Sequence, residues 1–115
     1  MRRFYGRDPG YAKGMSTQPQ INGHQVVDKR MSTIGKVTDV LYDDVEMQPR
    51  WAVVKVGMLG SEHYMPLMEA YMADDGRVIV PFDKMSIKHA PRAGKDHVLT
   101  PDDERALRDY YGIAA

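Results

Sequence analysis

Ile34-Gly35-Lys36-Val37-Thr38-Asp39-Val40-Leu41-Tyr42, followed after a turn by Trp51-Ala52-Val53-Val54-Lys55-Val56, is the stretch that decides the fold. Both runs are rich in β-branched and aromatic residues. Turn formers bound them, with Asp43-Asp44 and Gln48-Pro49 between the two and Gly57 to Gly60 after the second. Such runs are strands joined by short connections. In residues 34–42, Ile34, Val40 and Tyr42 fall on one face and Val37 and Leu41 on the other. Residues 51–57 are apolar on both faces except at Lys55, which predicts a central strand covered on both sides.

Working outward, similar runs at 24–28, 62–67 and 77–82 bring the count of expected strands to five, spaced at roughly 8–14 residues. The last is preceded by Asp74-Asp75-Gly76, a hairpin turn in which Gly76 takes a positive φ at little cost. Short strands at this spacing suit a small closed or nearly closed β-barrel of five or six strands. Past Phe82 the period changes. Asp83 caps a short helical turn through Lys88, which Pro91 keeps from extending. Thr100-Pro101-Asp102-Asp103-Glu104 then starts a helix over 101–111. Thr100 caps the free amides, Pro101 suits the first position, and three carboxylates meet the positive end of the dipole. Leu107, Tyr110 and Tyr111 share a side, Glu104 can pair with Arg108, and Gly112 is the stop.

Residues 1–20 contain no Val, Ile or Leu, but three glycines and two prolines. Too little apolar area is present to offset the entropy of ordering, so this segment is expected to be a flexible arm. Its charges are Arg2, Arg3, Arg7 and Lys13 against Asp8, which makes it basic. One domain, residues 21–115, follows it.

The 115 residues carry sixteen Lys+Arg and sixteen Asp+Glu, so the chain as a whole lacks the cationic excess of an obligate nucleic-acid binder. The absence of cysteine excludes disulfides, thiolate metal sites and thiol nucleophiles. No run approaches the roughly 20 apolar residues of a membrane span. Arg2 and Arg3 are followed by no apolar stretch, so no secretory leader is expected and the cytoplasm is the expected compartment.

The order of these segments resembles that of a PRC-barrel domain, over about residues 22 to 113. The resemblance is carried by Ile34-Gly35-Lys36-Val37-Thr38-Asp39-Val40, Pro49-Arg50-Trp51-Ala52-Val53-Val54, Gly57-Met58-Leu59-Gly60, Met65-Pro66-Leu67 and Val78-Ile79-Val80-Pro81-Phe82. The tail from Leu99-Thr100-Pro101 to Tyr110-Tyr111-Gly112 is similar to that of stand-alone bacterial members. Two turns depart from the pattern. Lys29-Arg30-Met31-Ser32-Thr33 stands where Asp/Asn-Gly is usual, and Val45-Glu46-Met47-Gln48 where a glycine is frequent. The family includes the cytoplasmic part of the photosynthetic reaction-centre H subunit and the C-terminal domain of a ribosome maturation factor. The resemblance implies a scaffold or interaction module without a shared catalytic motif. A fold alone transfers neither role.

The residues themselves offer little chemistry. His24, His63, His89 and His97 form no HxH, HxxxH or HExxH spacing, and read as scattered solvated histidines. Asp43-Asp44, Asp74-Asp75 and Asp102-Asp103 sit at turns and a helix start, where aspartate is favoured for backbone reasons. No serine lies in a GxSxG elbow, and Gly57 to Gly60 lacks the Lys-Ser/Thr of a phosphate loop. No catalytic residue, metal site or cofactor is therefore expected. Nine methionines are unusual, and Met58, Met65, Met68, Met72 and Met85 serve either core filling or an adaptable contact surface.

The expected protein is a non-enzymatic interaction or scaffold module, with a protein partner that includes a second copy of the chain as a homodimer. Candidate contacts are Trp51, Met58, Met65 and Tyr110, with Arg2, Arg3 and Arg7 of the arm. Two alternatives stand beside it. One is RNA or ribosome binding through the basic arm and the loop carrying Lys84, Lys88, Arg92 and Lys95. The other, implied by the resemblance, is an accessory role in a membrane electron-transfer complex.

Overall fold

The computed structural model describes residues 3–5, 21–57 and 60–113. The elements in chain order are β1 (Phe4–Tyr5), β2 (Gln25–Val27), β3 (Thr33–Asp43), β4 (Pro49–Val56), β5 (Glu62–Pro66), β6 (Tyr71–Met72), β7 (Val78–Ile79), α1 (Lys84–Lys88), β8 (Val98–Leu99) and α2 (Pro101–Tyr111). The two runs quoted first become the long strands β3 and β4. They pair antiparallel from Gly35↔Val56 to Tyr42↔Pro49, and β4 is central, with β5 on its other side. The path through the sheet is β5-β4-β3-β2-β7-β6. Only the β2–β7 pair in this path is parallel, so the six-stranded sheet is mixed.

Two details of β3 decide what faces what. Thr38 is an extra residue against β4, because the register steps from Val37↔Val54 to Asp39↔Val53. The bulge resets the alternation. Ile34 is the second extra residue, against β2, where the register steps from Val26↔Gly35 to Val27↔Thr33. Val37 therefore joins both Ile34 and Val40 in one core with Val26, Val54, Met65 and Ile87, rather than facing away from them as strict alternation predicts. Leu41 lies on the opposite face. There it packs with Trp51, Val53 and Tyr64 beneath Phe4, Leu99 and Leu107. Each fully buried side chain of this size contributes about 1.5–3 kcal/mol, so both faces of β3–β4–β5 hold the fold.

The expected barrel does not close. Among the described residues no pairing joins the sheet's ends, β5 and β6. The outer edge of β5 is taken instead by the segment after α1, with Ala93 N–H donating to Glu62 O at 2.9 Å and Tyr64 N–H to Pro91 O at 3.4 Å. β6 is two residues long, and is reached through a turn in which Ala70 N–H donates to Leu67 O and Glu69 takes φ +69°.

The arm expected over 1–20 is also corrected at its start. Phe4 and Tyr5 pair with β3 (Phe4↔Asp43) and with β8 (Phe4↔Leu99). Phe4 is buried in the Leu41–Leu107 cluster. One aromatic ring inserted between two elements supplies the apolar burial that the absence of Val, Ile and Leu seemed to deny. Residues 6–20 lie outside the described residues.

α2 begins and ends where the caps require. The Thr100 side chain accepts from Asp103 N–H, Asp103 accepts from Thr100 N–H, and Gly112 closes the helix at φ +70°. Thr100→Ala is expected to cost about 1 kcal/mol, read as a lowered urea midpoint. An unchanged midpoint would mean that packing of Leu107 alone sets the helix start.

Candidate functional site

Where a closed barrel would join β5 to β6, the structure has a groove of ≈ 510 Å³. Its floor comes from the interior face of β3 and the start of β4, through Val40, Tyr42, Pro49 and Trp51. The turn after β5 supplies Pro66, Leu67 and Met68, and β6 supplies Tyr71 and Met72. The end of α2 closes it with Arg108 and Ile113. The charged side chains in this lining are Arg50, Glu104 and Arg108, and each is held in an ion pair. Arg108 Nε donates to Glu104 across one helical turn, and Arg50 Nη2 lies 2.9 Å from Glu46 Oε1. A volume of this size, apolar with few charged groups, falls in the range that binds other molecules.

The wall formed by α2 is fixed by aromatic rings. Tyr111 sits 5.0 Å from Phe82, 4.9 Å from Tyr110 and 6.3 Å from Trp51, centroid to centroid. Its hydroxyl donates to Tyr64 O at 2.6 Å. Burial pushes the Tyr111 phenol above its ordinary 10.0. Tyr64 is raised as well, first by burial and then by Asp96, Asp103 and Asp39, against a lowering hydrogen bond from Gly94. Both phenols are held neutral more strongly in the folded chain than in the unfolded one. That stabilisation is complete below about pH 10 and is lost as pH rises above it. The urea midpoint is therefore expected to fall between about pH 9 and pH 11, with a shallower fall in Tyr111→Phe. Equal midpoints at both pH values would contradict this.

The predicted contact residues divide. Tyr110 is half-exposed, its hydroxyl donating to Ser86 O at the surface. Trp51, expected as a contact, contributes to the groove wall but is only 3% exposed, with the Tyr111 ring packed against it. Met65 is 0% exposed and belongs to the core, so it is no contact residue; its place opposite Ala52 on β5 turns it inward. Arg3 is exposed, and its backbone N–H donates to Asp44 Oδ1. Met58, Arg2 and Arg7 lie outside the described residues.

The methionines that do reach the surface at the groove are Met68, 58% exposed, and Met72; Tyr71, 56% exposed, lies between them. The methionine cluster in the sequence pointed to the segment. Nothing in it singled out Tyr71.

Two histidines are not solvated as expected. His63 is buried, its Nδ1–H donating to Ala90 O and its Nε2 accepting from Ser61 Oγ at 2.8 Å. A serine–histidine pair results, but the ring is closed to any substrate. His97, 1% exposed, has Nδ1 2.7 Å from Asp39 Oδ2 and Nε2 3.2 Å from Glu62 Oε1. Thr38 Oγ1 donates to the other Glu62 oxygen at 2.7 Å. This cluster ties the segment before β8 onto β3 and β5. Among the described residues no group of three or more His, Asp or Glu could hold a metal ion.

A family model for the PRC-barrel domain matches residues 13–107. No curated protein matches the chain.

Proposed function

The chain belongs to the PRC-barrel domain family, and from that premise we propose that it is a non-catalytic protein-interaction module whose partner docks in the groove between β5 and β6. The observation that carries this reading is the exposure of Met68, Tyr71 and Met72 together along one groove. Exposed aromatic and methionine side chains are the residues that dominate adaptable protein contacts. The buried histidines, the groups best suited to proton transfer, are held elsewhere by Ala90, Asp39 and Glu62. No helix among the described residues is long and apolar enough to cross a membrane.

A second reading, RNA or ribosome binding, is supported by the exposure of Lys84, Lys88, Arg92 and Lys95 on α1 and the loop after it. The two separate by salt, since phosphate contacts weaken steeply with ionic strength and apolar contacts do not. The test is affinity capture from native lysate at low and high salt. The full chain is compared with a Met68→Ser/Tyr71→Ser/Met72→Ser variant. A discrete protein retained at high salt by the first and lost by the variant supports the module. RNA or ribosomal proteins that disappear at high salt, with the variant unaffected, would replace it with the second reading.

A further inference from the structure

β6 is the end of the sheet, and backbone, apolar side chains and charge there point to one kind of occupant. On one side it pairs with β7, Tyr71↔Ile79 and Met72↔Val78. Among the described residues no strand pairs with its outer edge. An unpaired edge presents N–H and C=O groups to any extended chain that reaches it. Tyr71 and Met72 are exposed and open into the groove with Leu67 and Pro66 behind them. Exposed acids flank the strand, Glu69 before it and Asp74 and Asp75 after it. Arg77 is paired with Asp75 at 2.6 Å, whereas no ion pair joins Glu69 or Asp74 to another described residue.

We propose that the outer edge of β6 accepts an extended segment of a partner protein, whose alternate apolar side chains enter the groove while flanking Lys or Arg residues meet Glu69 and Asp74. Strand addition of this kind takes its affinity from main-chain hydrogen bonds and its specificity from the pockets for alternate side chains. Charge argues against a second copy of this chain as the occupant. In antiparallel β6–β6 pairing about a twofold axis Met72 faces the Met72 of the other copy, because the neighbouring Ala73 N–H is donated to Arg77 O and leaves the main-chain groups of Met72 facing outward. Glu69 of each copy then lies opposite Asp75 of the other, and like charges opposed across a ladder are destabilising. The inference rests on the groove being the docking surface, and names the partner's conformation and charge.

The test titrates the isotope-labelled full chain with two synthetic peptides of one apolar core, KKVTVTVKK and EEVTVTVEE, followed by NMR at low and moderate salt. The basic peptide is expected to shift the amide signals of Tyr71, Met72 and Ala73 and to bind roughly tenfold tighter than the acidic one. Glu69→Lys/Asp74→Lys, two exposed changes that leave the core untouched, should reverse that preference. Failure of both peptides to shift the β6 amides would overturn the proposal, as would equal binding of the two. Concentration-dependent shifts of the same amides without peptide would also overturn it, in favour of a second copy. Should the peptides fail while the groove variant still loses its partner in the capture experiment, only the edge-strand mode falls. If both fail, the docking role of the groove falls with it.

Discussion

His97→Ala is expected to lower stability by about 1.5–3 kcal/mol. Asp39 is 3% exposed; its Oδ2 accepts from His97 Nδ1–H at 2.7 Å and its Oδ1 from Val40 N–H at 2.9 Å. Removing the ring takes a short hydrogen bond from a buried carboxylate, and bonds to charged groups are the stronger ones. It also frees the segment before β8 from Glu62, weakening the β8–β1 ladder that covers Phe4. His97 has φ +53°, a left-handed conformation. His97→Gly relieves that strain while losing the same bonds, so it should be less damaging than His97→Ala by about 1–2 kcal/mol. Urea unfolding at neutral pH measures both. A loss under about 1 kcal/mol for His97→Ala would mean that water replaces the ring, and that the cluster is not what seats the segment. Replacing both partners, Asp39→Val with His97→Leu, should recover part of the loss, because the buried carboxylate is removed together with the ring and apolar groups fill the space.

Met65→Ala should cost about 2–5 kcal/mol, whereas Met68→Ala should change stability by less than about 0.5 kcal/mol. The two residues are three apart in the sequence. Met65 is buried among Val54, Val56 and Ile87, so truncation opens a cavity that the surrounding strands cannot close. Met68 is 58% exposed on the turn after β5 and packs against little. The functional expectation is the reverse. Met68→Ala removes part of the groove's apolar lining and should weaken retention of a partner, with the unfolding curve unchanged. A Met65→Ala chain as stable as the parent would contradict the core assignment. A Met68→Ala chain that retains its partner fully would move the docking surface away from this turn.

The candidate site was legible only in part. Five of the nine methionines, Met58, Met65, Met68, Met72 and Met85, cluster in the middle of the chain and indicated either core filling or a contact surface in that segment. Sorting Met65 from Met68 needed the fold, since both follow apolar neighbours and neither carries a local mark. Trp51 was expected as a contact residue, and the Tyr111 ring packs against it from a helix 60 residues further along the chain. His97 was read as solvated for the same reason. Its partners Asp39 and Glu62 are 58 and 35 residues away in sequence, and no spacing rule connects them. A sharper reading of β3 could have found one end of this cluster, because Asp39 stands beside Val40 and Leu41 in a strand expected to be covered by core on both faces, and a buried carboxylate must have a partner.

By itself the amino-acid sequence determined the helix at 101–111, with Thr100, Pro101 and Gly112 marking its ends, and the two long strands that organise the sheet. These are local signals: a cap, a fixed φ and an alternation each act within a few residues, so the chain carries them wherever it goes. The tertiary structure alone decided that Thr38 bulges and turns Val37 inward, that Phe4 joins the sheet, and that β5 and β6 stay apart. Those outcomes rest on competition between distant segments for the same edge or the same apolar face. The chain after α1 occupies the outer edge of β5 in place of a closing strand, and the groove is what that arrangement leaves open.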